Sequence, residues 1–107
     1  MRNKQKTERE KRKVIVSFSQ KLGLVGVRSL EEYIKKNKVR KSYVITSTSP
    51  HPNVIDYAKK IDLLEIIISS HLKQEVENIR KLYSNNSVTI INLDDDFGER
   101  SIMRDGL

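Results

Sequence analysis

A dense group of cationic side chains lies between Arg28 and Lys41, where six Lys or Arg residues occur within fourteen positions. Only Glu31 and Glu32 oppose them there. Cations at this density attract phosphate groups, and the net charge of the whole chain, +7, acts in the same direction. We expect a polyanionic partner, and nucleic acid before membrane, because no basic amphipathic helix with Trp or Phe on its apolar side is apparent. Charge alone is equally compatible with an ordinary lysine-rich surface.

Residue types that carry covalent or metal chemistry are scarce. The chain has no cysteine, which excludes disulfides, thiolate-bound zinc and a cysteine nucleophile. His51 and His71 are interpreted as surface or packing residues, and no glycine-rich phosphate loop is present. Residues 94–96 are three consecutive aspartates, which cannot all point at one ion, so a helix-capping loop is the preferred interpretation. We therefore expect no enzymatic activity, no cofactor and no bound metal.

The segment after the basic amino terminus is ambiguous between helix and strand. Thr7 and Glu10 have the spacing of a helix capping box. Apolar residues then recur on one helical stripe, and Gly23 can end a helix, so the sequence predicts a helix over 8–22. The β-branched run VIVSF at 14–18 keeps a strand as the rival prediction.

In the rest of the chain, apolar β-branched runs alternate with helical stripes. The predicted strands are 24–27, 42–47, 63–68 and 88–93, and helices are expected after Ser29, Asn53 and Ser69 and around Phe97, Ile102 and Met103. This alternation predicts an α/β fold, a three-layer α-β-α sandwich around a small mixed or mainly parallel sheet. Residues 1–7 are expected to be a basic leader, disordered without its partner, and residues 8–107 a single domain.

Three stretches, taken in order, resemble the L7Ae/L30e family of ribosomal and ribonucleoprotein RNA-binding proteins, and most closely its small bacterial members. QKLGLVG is similar to the family's helix end and glycine-containing RNA loop. SLEEYIKKNKVRKSYVITSTS is similar to the following helix, basic turn and strand, and VTIINLDDDFGERSI to the last strand and the final helix. The resemblance covers about residues 8–103. It implies an L30e-like fold and a non-enzymatic protein that binds structured RNA in translation or in another ribonucleoprotein.

The resemblance also implies which residues contact RNA. In archaeal and eukaryotic members the RNA loop reads Gly-x-Asn-Glu-x-x-Lys and grips a kink-turn, and at the matching positions this chain keeps the glycine alone. The expected RNA-binding residues are Gly26, Val27, Arg28, Ser29, Glu32, Lys35, Lys36, Lys38, Arg40, Tyr83, Ser84, Asn85 and Asn86. The expected partners are structured RNA, with ribosomal RNA as a candidate, and ribosomal proteins. A cytoplasmic monomer without membrane attachment is expected.

Two alternatives come from other classes of protein. VIVSFSQK and the later YVITS, each followed by a helix, vaguely resemble restriction-endonuclease-like domains and their catalytically inactive relatives in RNA polymerase subunits. An active site of that kind requires an acid two residues before Lys21, where the chain has Ser19. The third hypothesis is a protein-interaction subunit whose basic leader docks on an acidic partner. A helix over 8–22 favours the L30e-like hypothesis, and a strand there favours the nuclease-like one.

Overall fold

Residues 12–94 are described by a computed structural model of the chain. They form an α/β fold with a four-stranded, all-parallel sheet and three helices. In chain order the elements are β1 (Lys13–Ser19), α1 (Leu24–Lys36), β2 (Val39–Thr46), α2 (Pro52–Lys59), β3 (Leu64–Ile68), α3 (Leu72–Leu82) and β4 (Val88–Asn92). None of the helices in this part of the chain is long and apolar enough to cross a membrane.

The strands lie side by side in the order β3-β2-β1-β4. From β1 the chain passes through α1 to β2 and through α2 to β3, and then α3 carries it back across the sheet to β4 on the other side of β1. Residue Val16 of β1 is accordingly in register with Tyr43 of β2 and Ile90 of β4. Because all pairs are parallel, every strand begins at one edge of the sheet, the amino-terminal edge, and ends at the opposite, carboxyl-terminal edge.

Two apolar clusters lie on opposite faces of the sheet. One combines Ile15 and Val44 with the inner sides of α1 and α2, including Leu30 and Ala58. The other combines alternate strand residues with α3, and its buried members are Val14, Val16, Tyr43, Ile45 and Ile79. Neighbouring residues of β1 therefore face different helices, which is why Val14, Ile15 and Val16 are apolar in succession.

The helix predicted over 8–22 is wrong in the described part of that range, because residues 13–19 form the strand β1. Val14, Ile15 and Val16 are all fully buried. The spacing of apolar residues fitted a helical stripe, but a central strand covered on both faces explains three consecutive buried residues, whereas a one-sided helix does not. Residues 8–11 of that prediction lie outside the described residues.

The short strand predicted at 24–27 is also wrong, because α1 begins at Leu24. The amide of Val27 donates to the carbonyl of Gly23 at 3.2 Å, which closes the first helical turn. The predicted helix start at Ser29 therefore falls inside α1, which ends at Lys36.

The later strands and the helices after Asn53 and Ser69 are confirmed, with small shifts at their ends. The parallel α/β fold is confirmed as well. The predictions for the leader at 1–7, for the last two aspartates of 94–96 and for the helix around Phe97, Ile102 and Met103 lie outside the described residues.

Candidate nucleic-acid interface

Positive charge is concentrated at the amino-terminal edge of the sheet. In a parallel α/β sheet the helices run opposite to the strands, so the ends of α1 and α3 lie at the same edge as the starts of β1, β2 and β4. We call the cations of these ends the basic edge: Arg12, Lys13, Lys35, Lys36, Lys38, Arg40, Arg80 and Lys81. The part of this group at 35–40 was predicted from the sequence.

The side chain of Arg40 is held in place by two residues of the turn before β4. Its Nη1 donates a hydrogen bond of 3.2 Å to Oδ1 of Asn86. The guanidinium carbon lies 5.2 Å from the centroid of the Tyr83 ring, within the range of a cation–π contact. Asn86 also donates from Nδ2 to the carbonyl oxygen of Arg12 at 2.9 Å. These contacts join the start of β1, the start of β2 and the turn before β4.

Tyr83 is in turn held by Tyr43 of β2. Its hydroxyl lies 2.8 Å from the hydroxyl of Tyr43, and the two ring centroids are 6.0 Å apart at an interplanar angle of 56°. Burial, and next the hydrogen bond with Tyr83, raise the pKa of Tyr43 well above its ordinary value. The Tyr43 phenol therefore keeps its proton at alkaline pH values where a free tyrosine begins to lose it. Through Tyr83, it supports the position of Arg40.

The cations of the basic edge differ in how far their charge is balanced. Lys35 lies 3.6 Å from Glu31 and Lys36 lies 3.3 Å from Glu32, both as exposed pairs one helical turn apart. Such pairs contribute only about 0.3–0.5 kcal/mol each and are screened by salt. The described residues supply no ion-pair partner for Lys13, Lys38 and Arg40. This edge therefore keeps a positive field available to an external anion.

The turn before β4 places polar side chains beside these cations. Ser84 and Asn85 are exposed, while Tyr83 and Asn86 are half-buried. Since Asn86 bonds directly to Arg40, the two predicted groups at 35–40 and 83–86 do meet at one edge. A phosphate near Arg40 would have hydroxyl and amide groups next to it, which is the kind of mixed surface that contacts RNA backbone and base edges.

The other predicted residues do not belong to this surface. Gly26 and Val27 are buried inside α1, and Arg28 and Ser29 are exposed on its first half, so the predicted glycine-containing RNA loop is wrong. At 1.5 Å per residue, the helix separates Gly26 from the cations at its end by roughly 15 Å. The Arg28 guanidinium carbon instead lies 5.7 Å from the ring centroid of Tyr57.

Glu32, the remaining member of the predicted loop, is occupied by its pair with Lys36. The structure thus divides the thirteen predicted residues between two parts of the molecule. The loop group, Gly26, Val27, Arg28, Ser29 and Glu32, lies along α1, and the group at 35–40 joins the turn at 83–86.

The carboxyl-terminal edge holds a different kind of site. A crevice of about 180 Å³ lies there, lined by Ser19, Ser47, Ser69 and Asp94 among others. It faces the ends of β1 and β4, between which the strand order reverses, and ligands of parallel α/β sheets commonly bind at such a point. The described residues contain no group of three side chains suited to hold a metal ion.

The polar groups of this crevice bond largely with one another. Asp94 accepts from the hydroxyl of Ser19 at 2.7 Å and from the amide of Gln20 at 3.0 Å. The hydroxyl of Ser47 donates to the Gln20 carbonyl at 3.1 Å. Ser69 accepts from the amide of His71 at 3.0 Å. These bonds tie the loops after β1, β2 and β4 together and fix the turn after β3, so their first role is structural.

Sequence reasoning missed the contribution of the start of β1 and the end of α3 to the basic edge. Lys13 and Arg12 were assigned to a helix, although the rival strand at 14–18 would have put them at the start of a parallel strand beside Lys38. The Lys13 amide does donate to the Lys38 carbonyl at 3.2 Å.

Comparison of the chain with models of protein families, with curated proteins and with solved structures finds no match.

Proposed function

We propose that this protein is a non-enzymatic RNA-binding protein that contacts structured RNA through the basic edge. The observation that carries the proposal is the meeting of cations from separate elements at one edge, around the fixed guanidinium of Arg40. Lys13, Lys38 and Arg40 are among the cations of this edge that have no acidic partner within residues 12–94. The net charge of +7 for the whole chain adds long-range attraction.

RNA suits this surface better than duplex DNA does. The cations lie at the ends of helices and strands, and none of the three described helices presents a basic face of the kind that enters a DNA major groove. Irregular RNA offers phosphates and unpaired bases at varied positions, and a compact edge with a polar turn can meet both. Ribosomal RNA and other structured RNA in ribonucleoproteins remain the proposed ligands.

The proposal no longer depends on the resemblance to the L7Ae/L30e family. That resemblance requires a helix over 8–22 and a loop at Gly26. In the structure, residues 13–19 form a strand and Gly26 lies inside α1. An L30e-like fold and kink-turn specificity are therefore left out of the proposal. What carries over is general binding of structured RNA by the group at 35–40 and the turn at 83–86.

Within the basic edge we assign distinct roles. Arg40 can make a bidentate contact with a phosphate, because its planar guanidinium is oriented by Tyr83 and Asn86 before RNA arrives. Lys38 is exposed in the loop before β2 and supplies a mobile point charge next to it. Lys35 and Lys36 can exchange their intrahelical partners for phosphates at little cost, since exposed pairs are weak.

A matched pair of charge reversals tests the location of the interface. Lys38 and Lys21 are both exposed lysines in loops, but Lys38 lies at the basic edge and Lys21 lies after β1 at the opposite edge. We expect Lys38→Glu to weaken binding to a structured RNA hairpin by about tenfold or more, and Lys21→Glu to change it by less than about threefold. Equal losses in the two variants would mean that net charge alone governs binding and would contradict the proposed edge.

The nuclease-like alternative gains support from one observation, the strand at residues 13–19. Ser19 stands where an active site would need an acid, and the nearest carboxylate, Asp94, bonds to the Ser19 hydroxyl. We therefore keep this alternative in its catalytically inactive form. Magnesium-dependent cleavage of RNA or DNA that disappears in Asp94→Ala would establish an active nuclease and overturn the non-enzymatic proposal.

A further inference from the structure

In the part of the chain that the structure describes, β3 lacks the features that normally keep an outer strand from pairing with another chain. Within residues 12–94 it pairs with β2 alone, in an unbroken register from Leu64 to Ile68. The strand contains no Pro, Lys or Arg, and it has no bulge. Its single charge, Glu65, is bound by Lys41 of β2 at 3.3 Å.

Apolar side chains lie along β3 and beside it. Ile68 is 52% exposed, and Leu63, just before the strand, is exposed as well. A groove of about 320 Å³ runs between α2 and β3, and apolar side chains dominate its lining: Ile55, Ala58, Leu64, Ile66 and Ile68. One wall of the groove is β3, so a strand added along the side of β3 that faces away from β2 would cover the groove.

The backbone of β3 is oriented for such an addition. The Leu63 carbonyl accepts from Ser42 and the Ser69 amide donates to Thr46, so the odd-numbered residues of the strand direct their backbone groups toward β2. By alternation, the amide and carbonyl of Ile66 point outward. Hydrogen bonds between the outward-pointing backbone groups of Ile66 in two copies of the chain would align their β3 strands antiparallel.

We propose that two copies of this chain form a dimer by antiparallel pairing of β3 with β3, about a twofold axis at Ile66. In this register Ile66 lies opposite Ile66 of the partner subunit, and Leu64 lies opposite Ile68 of the partner subunit. The apolar stripe of Leu64, Ile66 and Ile68 therefore meets itself, and the two grooves join under the two α2 helices. The result is a continuous eight-stranded sheet.

The other outer strand does not match itself in this way. An antiparallel pair of β4 strands centred on Ile90 would set Asn92 opposite Val88 of the partner subunit, a polar residue against an apolar one. In the β3 pair, Glu65 would lie diagonally from the partner's Glu65, roughly 7–8 Å away, a spacing at which like charges repel. Lys41, already 3.3 Å from Glu65 in each copy, offsets that repulsion.

This dimer is independent of the proposed RNA function, and it replaces the monomer expected from the sequence. Because the two β3 strands are antiparallel, the basic edges of the two subunits face opposite directions. The dimer would therefore present two separate RNA surfaces. Loss of the dimer need not remove RNA binding by a single subunit, so each proposal can fail without the other.

Light scattering after size exclusion, at protein concentrations of tens of micromolar, measures the mass directly. We expect the full chain to be a dimer, Ile68→Lys to weaken dimerisation at least tenfold, and Ile90→Lys to leave it intact. Ile90 is the matched control because it is a 39% exposed isoleucine on the other outer strand. A monomeric full chain, or equal disruption by the two variants, would overturn the proposal.

Thiol crosslinking tests the register in a chain that has no cysteine of its own. Two Ile66→Cys side chains would meet at the twofold axis, whereas two Ile68→Cys side chains would be four residues apart along the strands, roughly 13 Å. A short bifunctional thiol reagent should therefore crosslink Ile66→Cys several times faster, although Ile68 is the more exposed residue. Faster crosslinking of Ile68→Cys would overturn the proposed register.

Discussion

The two edges of the sheet use their polar residues in opposite ways. At the carboxyl-terminal edge, Asp94 bonds to Ser19 and Gln20, and these bonds hold the loops after β1 and β4 together. At the amino-terminal edge, Lys38 and Arg40 have no acidic partner in the described part of the chain, and Arg40 is held by a tyrosine and an amide. A polar cluster whose members satisfy one another stabilises the fold, while one with uncompensated charge is available to a ligand.

This contrast matters because position in the fold alone would favour the other edge. Parallel α/β sheets commonly bind ligands where the strand order reverses, at the carboxyl ends of the strands. Here that position is a small crevice, about 180 Å³, whose hydrogen-bonding groups are largely engaged with the loops around it. Charge balance therefore favours the basic edge as the interface.

The largest effect is expected from reversing two charges at the basic edge. Lys38→Glu with Arg40→Glu should weaken binding to structured RNA about 100-fold, because two phosphate attractions become repulsions. Lys21→Glu with Lys73→Glu, two exposed lysines near the carboxyl-terminal edge, is the control with the same change in net charge. Filter binding at a fixed salt concentration measures both, and a similar loss in the control would remove the distinction between the edges.

Removing the carboxylate at the other edge should act on stability instead. Asp94→Ala takes away the acceptor for the Ser19 hydroxyl and the Gln20 amide, so the free energy of unfolding should fall by about 1–3 kcal/mol. RNA affinity, measured well below the unfolding transition, should stay within about twofold of the parent. Urea denaturation gives the first quantity, and weaker RNA binding by the folded variant would contradict the assignment of this cluster to structure.

The tyrosine pair that supports Arg40 makes the stability of the fold depend on pH in the alkaline range. The raised pKa of Tyr43 means that the folded state keeps its phenol protonated where the unfolded chain, with a pKa of about 10, has begun to lose the proton. Its contribution to stability is therefore complete below pH 10 and is lost as the pH rises above that value. Tyr43→Phe should flatten the fall in stability between about pH 10 and 11.5, and an unchanged pH profile would contradict this account.

The smallest expected effects on stability come from replacing two buried serines. Ser19 is 6% exposed and bonds to Asp94, whereas Ser42, in the middle of β2, is fully buried with no partner for its hydroxyl in the described residues. The same change to alanine should lower stability by about 1 kcal/mol at Ser19 and raise it by about 0.5–1 kcal/mol at Ser42. Thermal denaturation of the two variants compares the signs, and equal signs would contradict the contrast.

The fold was partly predictable from the sequence because most strands are short β-branched runs bounded by turns. β2, β3 and β4 have that form, and the helices between them have a single apolar side. β1 was not predicted as a strand, since Val14, Ile15 and Phe18 also fit a helical stripe. Only the neighbouring strands on both sides, which belong to tertiary structure, decide between the two.

The candidate site was partly predictable for the same reason. The cations at 35–40 follow from the sequence as the end of a helix, and the turn at 83–86 follows as the loop before a strand. Gly26 was misplaced because a glycine near a predicted loop is also accepted inside a helix, where it is buried in α1. Lys13 was missed because its place at the sheet edge depends on β1 being a strand.

The salt dependence of RNA binding tests the central claim most directly. If the basic edge contacts about four to six phosphates, a plot of log affinity against log salt concentration should fall with a slope of roughly −3 to −5. Affinity should then drop by about two to three decades between 50 and 200 mM salt, and Lys38→Glu should reduce the slope by about one. A slope near zero, or an unchanged slope in Lys38→Glu, would contradict binding at this edge.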